Sequence, residues 1–297
     1  MISYISDIDI QNHPLPSKLV MSWIQESFCI KNTTLLPHKT SIHFNENQYF
    51  NTMPAIVPTL NLMGVKIINR YPKRQPTVDA QILLYDYRTG NLTHILDGAE
   101  ITAIRTGAVC ALAVQKLAVQ NFSSIAIMGL GHVAKFSMSY IAESNKNRLL
   151  TVKLYRYKDQ AEKFIESFKH YKNISFQICD NMKDFITDSD VVISCITHSS
   201  DLLSQPEWFK KGSLLIPVHL RGFQNCDLVF DKIIVDDMLH VSDFQYFKQW
   251  KYRAELSDIL QNKIAGRENN DERIISYNVG LAIHDLIFSH HIIQLLK

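Results

Sequence analysis

Short apolar segments alternate with helix-like segments from about residue 124 to residue 237. Six segments rich in β-branched and apolar residues predict strands, at residues 124–128, 151–155, 174–178, 190–197, 213–218 and 232–236. The segments between them, such as DQAEKFIESFKHY, have apolar residues at helical spacing. Strands that alternate with helices predict βαβ units and a mostly parallel sheet with helices on both faces.

The first 120 residues follow a different pattern. GVKIINRYP and DAQILLYDYRTGNLTHILDG predict strands, with a turn at Thr89–Gly90–Asn91 as in an antiparallel hairpin or meander. The alanine-rich AEITAIRTGAVCALAVQKLAVQ predicts a long helix, and the C-terminal ISYNVGLAIHDLIFSHHIIQLLK is also interpreted as helical. The C-terminal segment is expected to pack on the N-terminal part. The chain is therefore predicted to be an α/β protein with a discontinuous domain of residues 1–120 and 268–297, interrupted by a dinucleotide-type domain of residues 121–267.

The first strand of the alternating region leads into a glycine-rich turn, IAIMGLGHVAKF. Gly129 would form the tight turn, Gly131 would let the backbone approach a pyrophosphate, and Ala134 would let the helix pack close to the strand. The N–H groups at the start of that helix would bind the anion. Similar turns occur in methyltransferases and as plain packing, but the place of this one at the head of the alternating pattern favours a dinucleotide.

The end of the second strand bears on which dinucleotide is bound. A carboxylate there would accept hydrogen bonds from the ribose 2′-hydroxyl of NAD, whereas this chain has Arg156 and Lys158. A guanidinium at this place accommodates a 2′-phosphate, so the sequence favours NADP, with NAD as the alternative. The other interpretation is that both are solvated surface cations.

Composition argues against several classes of function. The 297 residues are 46% hydrophobic and 20% charged, as in folded domains, and the net charge of +2 does not indicate nucleic-acid binding. No apolar run is long enough to predict a membrane span, and the N-terminus lacks a signal-peptide pattern. Five widely spaced cysteines without a Cys-x-x-Cys pair favour reduced thiols in the cytoplasm. No metal is expected, and His290–His291 are interpreted as solvated side chains.

Charged residues inside apolar segments of the discontinuous domain are candidates for anion binding. Lys66 lies in an apolar strand, where a lysine is unfavourable unless paired or partly solvated. Arg105 begins an apolar helix, where its guanidinium can hold a carboxylate through two parallel hydrogen bonds. An ion pair of Arg105 with Glu100 or Asp97 is an equally good interpretation. Asp79 is an unusual acid within a strand unless its side chain points outward.

Several segments, in order along the chain, resemble the ornithine cyclodeaminase/mu-crystallin family. The most specific is LDGAEITAIRTGAVCALAVQKLA followed by IAIMGLGHVAKF, and NTMPAI, GVKIINRYPK, DVVISCIT and AGRENNDERIISYNVGLAIHDL support it. The resemblance implies a Rossmann dinucleotide-binding domain inserted into an α+β substrate and dimerisation domain. It also implies a homodimer and a small amino or imino acid as the substrate.

The resemblance assigns roles to particular residues. Lys66 and Arg105 match positions that bind the substrate carboxylate, Thr77 matches a threonine of the same site, and Lys39 stands where many members have an arginine. Lys66 is also the candidate catalytic proton donor or acceptor, if burial lowers its pKa. The predicted cofactor-binding residues are Thr106, Gly129, Gly131, His132, Val133, Ala134, Arg156, Lys158 and Thr197. Gly280 and Asp285 belong to a Gly-x-Ala-x-x-Asp element of the family.

Two departures from the family pattern argue against the cyclodeaminase reaction. Asn51 replaces a glutamate of true cyclodeaminases, and Arg221 replaces their catalytic aspartate, with Asp227 lying further on. A cyclodeaminase needs these carboxylates to move protons and orient the side-chain amine. The favoured function is therefore an NAD(P)-dependent oxidoreductase at the C–N bond of an amino or imino acid. The substrate is expected to be anionic, because Arg221 adds a cation to the predicted site.

Two alternatives remain open. One is a cyclodeaminase-type lyase that keeps NAD bound and releases ammonia. The other is a non-enzymatic, mu-crystallin-like binder of NADPH and a small ligand, which would use the same carboxylate-binding residues. Within the oxidoreductases, the GRENNDERII segment looks most like relatives that make N-carboxyalkyl amino acids in siderophore or specialised-metabolite pathways.

Overall fold

The computed structural model describes residues 2–45, 48–197 and 199–296, and the chain divides into two compact units. The terminal unit comprises Met1–Arg105 and Gly280–Lys297, and the central unit comprises Thr106–Val279. The boundaries predicted from the sequence, after residues 120 and 267, differ from this division. The first boundary of the structure lies between Arg105 and Thr106, inside the continuous helix Ala99–Leu117, because most of that helix belongs to the central unit.

The terminal unit is built on a sheet of six strands, counted over the described residues. Their order is β1-β6-β5-β4-β3-β2, with β1 parallel to β6 and the other neighbours antiparallel. The predicted hairpin is therefore present, as β5 and β6. The strands are β1 Ser3–Ile5, β2 Thr40–Asn45, β3 Gln48–Val57, β4 Leu62–Arg70, β5 Val78–Asp86 and β6 Leu92–Asp97. The helices are α1 Asp7–Gln11, α2 Ser17–Cys29, the start of α3 Ala99–Leu117, and α8 Ala282–Leu295.

Helix α8 packs on the sheet of the terminal unit, against β3, β4 and β5. Strand β4 alternates between buried and half-buried positions, and its buried positions include Leu62, Gly64 and Lys66. A Cβ atom added to Gly64 would lie 2.6 Å from the backbone oxygen of Leu83 and 3.3 Å from the Cγ atom of Leu286 on α8. The glycine therefore lets the helix approach the sheet closely, next to Lys66.

The central unit contains an eight-stranded parallel sheet in the described part of the chain. Its order is β13-β12-β14-β11-β10-β7-β8-β9. The strands are β7 Ser124–Met128, β8 Leu150–Tyr155, β9 Ile174–Cys179, β10 Val191–Ser194, β11 Leu214–Pro217, β12 Lys232–Val235, β13 Arg253–Glu255 and β14 Ile274–Tyr277. Besides the rest of α3, the helices of eight or more residues are α4 His132–Ser144 and α5 Gln160–Phe168, and the shorter ones are α6 Met182–Ile186 and α7 Leu256–Leu260.

All six strands predicted from the alternating pattern are present, and the predicted α/β class with a Rossmann-type sheet is confirmed. The prediction for the C-terminal segment is wrong at its start, because Ile274–Tyr277 form a strand, fully buried between β11 and β12. A short apolar run does not distinguish a buried strand from a buried helix by periodicity. The helix begins only at Ala282, after Gly280 turns the chain with a φ of 81°. Within the described ranges, no helix combines the length and the apolar character needed to cross a membrane.

Candidate functional site

The glycine-rich turn follows β7, where the strand order of the central sheet reverses. Strands β8 and β9 extend the sheet on one side of β7, and β10 begins the other side. Ligands of open parallel sheets bind at such a switch point. Gly129 has a φ of 73°, and a Cβ atom there would lie 2.4 Å from the carbonyl carbon of Cys195, which follows β10. Only glycine fits this position, as the predicted tight turn requires.

The start of helix α4 fits a phosphate group. Gly131 is its N-cap residue and provides no side-chain cap, and a Cβ atom built on it would meet no atom within 4 Å. That open space is where the backbone of a dinucleotide fingerprint approaches the pyrophosphate. His132 and Val133 form the first turn, and Ala134 is fully buried beneath it. The predicted turn residues therefore lie together in a cradle of suitable shape.

Arg156 follows β8 directly, but its guanidinium is already paired. Its Nε donates to Asp180 at 2.6 Å and its Nη1 to Glu162 at 2.8 Å. All three side chains are exposed to solvent, with Arg156 44% accessible. Lys158 lies nearby along the chain, with its Nζ 5.4 Å from the ring centroid of Tyr157. A 2′-phosphate would have to share or displace the two carboxylates, so NADP binding by Arg156 stays a prediction.

Helix α3 contacts α4 through a glycine to which the sequence analysis assigned no role. A Cβ atom on Gly107 would lie 2.6 Å from the Cβ of Phe136 and 2.8 Å from the backbone nitrogen of Ser137. An isolated glycine in an alanine-rich helix was the signal that could have identified this close contact. Thr106, a predicted cofactor residue, is half-buried beside it, and Thr197 is exposed three residues after β10.

The terminal unit contains a buried cluster of two cations and one carboxylate. Lys66 Nζ lies 2.9 Å from Asp285 Oδ1, and Arg105 Nε lies 3.1 Å from the same oxygen. Lys66 and Asp285 are completely buried and Arg105 is 6% exposed. The structure thus brings together two residues predicted from β4 and α3. It pairs Arg105 with Asp285 on α8, a carboxylate that the sequence analysis did not identify as a partner.

The cluster carries one excess positive charge when Lys66 is protonated. Burial lowers the pKa of Lys66 to about 8, and the charges of Arg105 and Lys39 act in the same direction, whereas Asp285 raises it. Asp285 Oδ2 is buried and has no hydrogen-bond partner among the described residues. Excess positive charge in a buried site favours an anion, because burial makes an uncompensated charge unfavourable. The arrangement therefore suits a carboxylate ligand.

Gly280 fixes the place of the Arg105 guanidinium. A Cβ atom built on this glycine would lie 2.8 Å from Nη1 and 3.2 Å from Nη2 of Arg105. Its positive φ and this close approach both require glycine. The Gly-x-Ala-x-x-Asp element therefore contributes at both ends, since Gly280 leaves room for the guanidinium and Asp285 accepts its hydrogen bond.

The remaining predicted residues of the terminal unit lie around the same sheet. Lys39 precedes β2 and is half-buried, and Thr77 precedes β5, whose Ile82 is the direct cross-strand neighbour of Lys66. Asn51 pairs across β3 and β4 with Ile68, and its Oδ1 atom is buried without a hydrogen-bond partner in the described chain.

Asp79 is partly exposed on β5. Its side chain is 37% accessible and lies 3.7 Å from Arg74. This is consistent with the outward-facing interpretation of the acid. Asp79 is not part of the buried cluster.

Arg221 lies in the central unit, exposed in the turn after β11, between Leu220 with a φ of 64° and Gly222 with a φ of 87°. Asp227 is only 2% exposed. Its two oxygens accept hydrogen bonds from Tyr277 at 2.6 Å and Trp250 at 3.3 Å, and burial raises its pKa to about 6. Asp227 is therefore part of the core of the central unit.

The GRENNDERII segment holds the central unit together. Arg267 donates to the backbone oxygens of Leu117 at 2.8 Å, Gly212 at 3.0 Å and Glu272 at 2.5 Å. Lys232 on β12 forms an ion pair with Glu272 at 3.1 Å. These bonds hold the segment against β12 and the end of α3. Arg267 and Glu272 therefore have a structural role within the central unit.

His291 is not the solvated side chain predicted from the sequence. Its Nε2 lies 2.7 Å from Glu26, and its ring stacks on Trp23 with centroids 5.0 Å apart. Among the described residues, no group of three or more His, Cys, Asp or Glu could hold a metal ion. The five cysteines are free thiols.

A parallel sheet with a glycine turn at its switch point is typical of dinucleotide-binding proteins, and the buried cationic cluster of the terminal unit is a candidate anion site. The chain belongs to the ornithine cyclodeaminase/mu-crystallin family, whose sequence model matches residues 7–295. The resemblance seen in the sequence is therefore confirmed.

The relatives include enzymes of amino- and imino-acid chemistry. The chain is 25% identical over 283 residues to a Delta(1)-pyrroline-2-carboxylate reductase of Bacillus thuringiensis, covering 88% of this chain and 86% of that one. The Delta(1)-pyrroline-2-carboxylate reductase of Thermococcus litoralis, solved in complex with NADH and L-proline, has a TM-score of 0.87 at 23% identity, over 99% of this chain and 97% of that one. An archaeal alanine dehydrogenase dimer with bound NAD has a TM-score of 0.87 at 22% identity, over 99% and 95%.

Proposed function

We propose that the protein is an NAD(P)-dependent oxidoreductase that acts on the C–N bond of an amino or imino acid. The observation that carries the proposal is the buried Lys66–Asp285–Arg105 cluster, whose excess positive charge suits one substrate carboxylate. The names of the relatives, two reductases of a cyclic imino acid and an alanine dehydrogenase, support the same class of reaction.

The residues of this chain have separate tasks in the reaction. When bound, the nicotinamide supplies or removes the hydride. The turn from Gly129 to Ala134 would hold the pyrophosphate, and Arg105 would clamp the substrate carboxylate. In the reducing direction the imine nitrogen takes a proton from the Lys66 ammonium, and in the oxidising direction neutral Lys66 accepts it. Its pKa of about 8 suits both tasks near neutral pH.

We infer NADP as the preferred cofactor from Arg156 and Lys158 at the end of β8. NAD is the second candidate, because Asp180 and Glu162 neutralise the guanidinium that would bind a 2′-phosphate. A second acidic group on the substrate is proposed from Arg221, which stands where the family resemblance has an aspartate. Substrates of this kind include N-carboxyalkyl amino acids and imines derived from dicarboxylates.

A homodimer is proposed as the working form. Strand β2 is an edge of its sheet and is exposed along its whole length, including Ile42 and Phe44, which are 56% and 51% accessible. An open apolar groove of about 420 Å³ lies in the same unit, lined by Leu35, Leu36, Pro37, Pro54, Ala55 and Ile56. A second copy would cover exposed edges and apolar surface of this kind. A cytoplasmic location is proposed from the five unbridged cysteines.

The proposal is tested by binding and turnover on the same samples. Purified protein is titrated with NADPH and NADH by nicotinamide fluorescence, and then given Delta(1)-pyrroline-2-carboxylate, or pyruvate or 2-oxoglutarate with a panel of amines. Oxidation of the reduced cofactor that depends on the imine, and its loss in Lys66→Met and Arg105→Gln, is the expected result. Ammonia release without net cofactor change would identify a lyase. Tight cofactor binding without turnover on any of these compounds would favour a ligand binder.

A further inference from the structure

We propose that Asp285 is a positioning residue that couples anion binding to the proton on Lys66, because one of its oxygens is shared between Lys66 and Arg105. The inference rests on the proposed function, in which Lys66 moves a proton and Arg105 holds the substrate carboxylate. Asp285 touches neither substrate nor cofactor in this scheme. It acts through the two cations that it holds.

The geometry makes the sharing unavoidable. Lys66 Nζ and Arg105 Nε both donate to Asp285 Oδ1, at 2.9 and 3.1 Å, while Oδ2 has no hydrogen-bond partner among the described residues. The three side chains come from β4, α3 and the first turn of α8. The cross-strand neighbours of Lys66 are Met53 and Ile82, which offer no charged group and no strong hydrogen-bond acceptor as an alternative partner.

The sharing links the two cations energetically. The charge of Arg105 lowers the pKa of Lys66, and Asp285 raises it. When an anion binds at Arg105, its charge compensates the guanidinium, so Asp285 is left to stabilise the Lys66 ammonium alone. Anion binding should therefore raise the pKa of Lys66. The site would hold its proton when the imino acid is present and release it more readily when the site is empty.

The groups around the cluster leave Lys66 as the titrating residue near neutral pH. His284 precedes Asp285 on α8 and is completely buried, and its Nδ1 lies 2.7 Å from Ser27 Oγ on α2. Burial holds the pKa of His284 well below its ordinary value, and the charges of Arg105, Lys31 and Lys66 act in the same direction. Lys39 adds one further positive charge that lowers the pKa of Lys66. Arg105 and Lys39 both disfavour the charged form of Lys66, and Asp285 opposes them.

The test is an NMR titration of the full chain with ¹³Cε-labelled lysine, in which the Lys66 signal is assigned by its loss in Lys66→Met. The probe anion is pyrrole-2-carboxylate, a flat carboxylate that carries no reducible imine. In the wild type we expect a midpoint near pH 8, which rises when the probe is added. In Arg105→Gln the midpoint should rise without the probe, by about one to three pH units, and the probe should no longer move it.

Asp285→Asn should lower the midpoint by a similar amount. Because that variant leaves two buried cations without a carboxylate, it risks unfolding, whereas Arg105→Gln leaves a neutral Lys66–Asp285 pair and keeps the test available. Asp79→Asn, a partly exposed aspartate of the same unit, serves as the control and should leave the midpoint unchanged. A midpoint that stays the same in Arg105→Gln and with the probe would overturn the coupling.

The outcomes separate this inference from the proposed function. Imine reduction by a protein whose Lys66 midpoint does not respond to the probe or to Arg105→Gln would leave the oxidoreductase standing and reject the role of Asp285. A midpoint that responds as expected, in a protein that neither reduces imines nor oxidises amines, would support the coupled anion site and reject the proposed oxidoreductase reaction.

Discussion

Replacement of Asp227 by asparagine should change how the stability of the protein depends on pH. Asp227 is 2% exposed in the core of the central unit and accepts hydrogen bonds from Tyr277 and Trp250. Burial raises its pKa from 3.8 to about 6, against the two hydrogen bonds, which lower it. Asparagine has nearly the same shape but no titrating proton, so the comparison isolates the carboxylate.

The sign follows from the number of protons bound in each state. Between about pH 4 and pH 6 the folded protein keeps a proton on Asp227 that the unfolded chain has lost. The free energy of unfolding therefore decreases as pH rises through this window. A shift of about two pKa units corresponds to about 3 kcal/mol, of which about 2 kcal/mol falls between pH 4.5 and pH 8. The Asp227→Asn variant should gain about that much relative to the wild type over the same range.

The hydrogen bonds of the amide set a constant offset. Its oxygen can accept from Tyr277, but its NH₂ group faces the Trp250 N–H, so one bond is lost at about 1–3 kcal/mol. This term does not change with pH and leaves the slope unaffected.

The assay is urea unfolding at several pH values from 4.5 to 8, followed by fluorescence and far-UV circular dichroism so that separate unfolding of the two units would be detected. Asp243→Asn, at an exposed position of the same unit, controls for the change in net charge. If the difference between Asp227→Asn and the wild type is flat with pH, the carboxylate is not the buried acid described above.

Three further predictions concern the ligand sites. Gly129→Ala should lower both the stability and the affinity for NADPH, each by at least about tenfold in its equilibrium constant. Gly131→Ala should keep the stability and lose the affinity for NADPH, because its Cβ enters only open space. Unfolding measures the stability, and fluorescence titration measures the affinity. Arg156→Ala should reduce the affinity for NADPH but not that for NADH. Asp180→Asn should raise the affinity for NADPH, because it frees the guanidinium of Arg156, and should leave the affinity for NADH unchanged. Equal effects on both cofactors would contradict the 2′-phosphate site. Gly280→Ala should raise KM for the imino acid more than it lowers kcat, because it displaces the carboxylate clamp, and an unchanged KM would contradict that role.

The central unit could be predicted from the sequence because buried parallel strands read as continuous apolar runs. The same property explains the error at Ile274–Tyr277, because this short and fully buried segment lies shortly before a genuine helix. The long-range insertion of this strand between β11 and β12 leaves no local signal. The hydrophobic pattern of the sequence therefore identified the segments that form strands and helices, but it could not separate one buried strand from the helix that follows it.

The cations of the candidate site could be predicted from the sequence, but their pairing with Asp285 could not. Lys66 and Arg105 could be singled out because charges are unusual inside apolar elements. Their partner could not, because Asp285 lies 219 residues from Lys66 and 180 from Arg105, in a helix where an acidic residue of the first turn is ordinary. The alternative pairing of Arg105 with a nearby acid was reasonable by sequence distance, and only the packing of α8 on the sheet decided between them.

Two arginines of this chain show why burial decides how much an ion pair says about function. Arg156 has two carboxylates within 2.8 Å, but all three side chains are exposed, and solvent screening makes such pairs contribute little to stability. A phosphate with two negative charges can displace or share them, so this pairing does not decide between NADP and NAD. Arg105 shares one carboxylate with Lys66 in a buried site, where breaking one side of the cluster costs about 3–5 kcal/mol. Under the proposed function, the buried cluster would therefore set the charge of the ligand in the terminal unit, whereas the choice between NADP and NAD would depend on weaker, solvent-screened contacts.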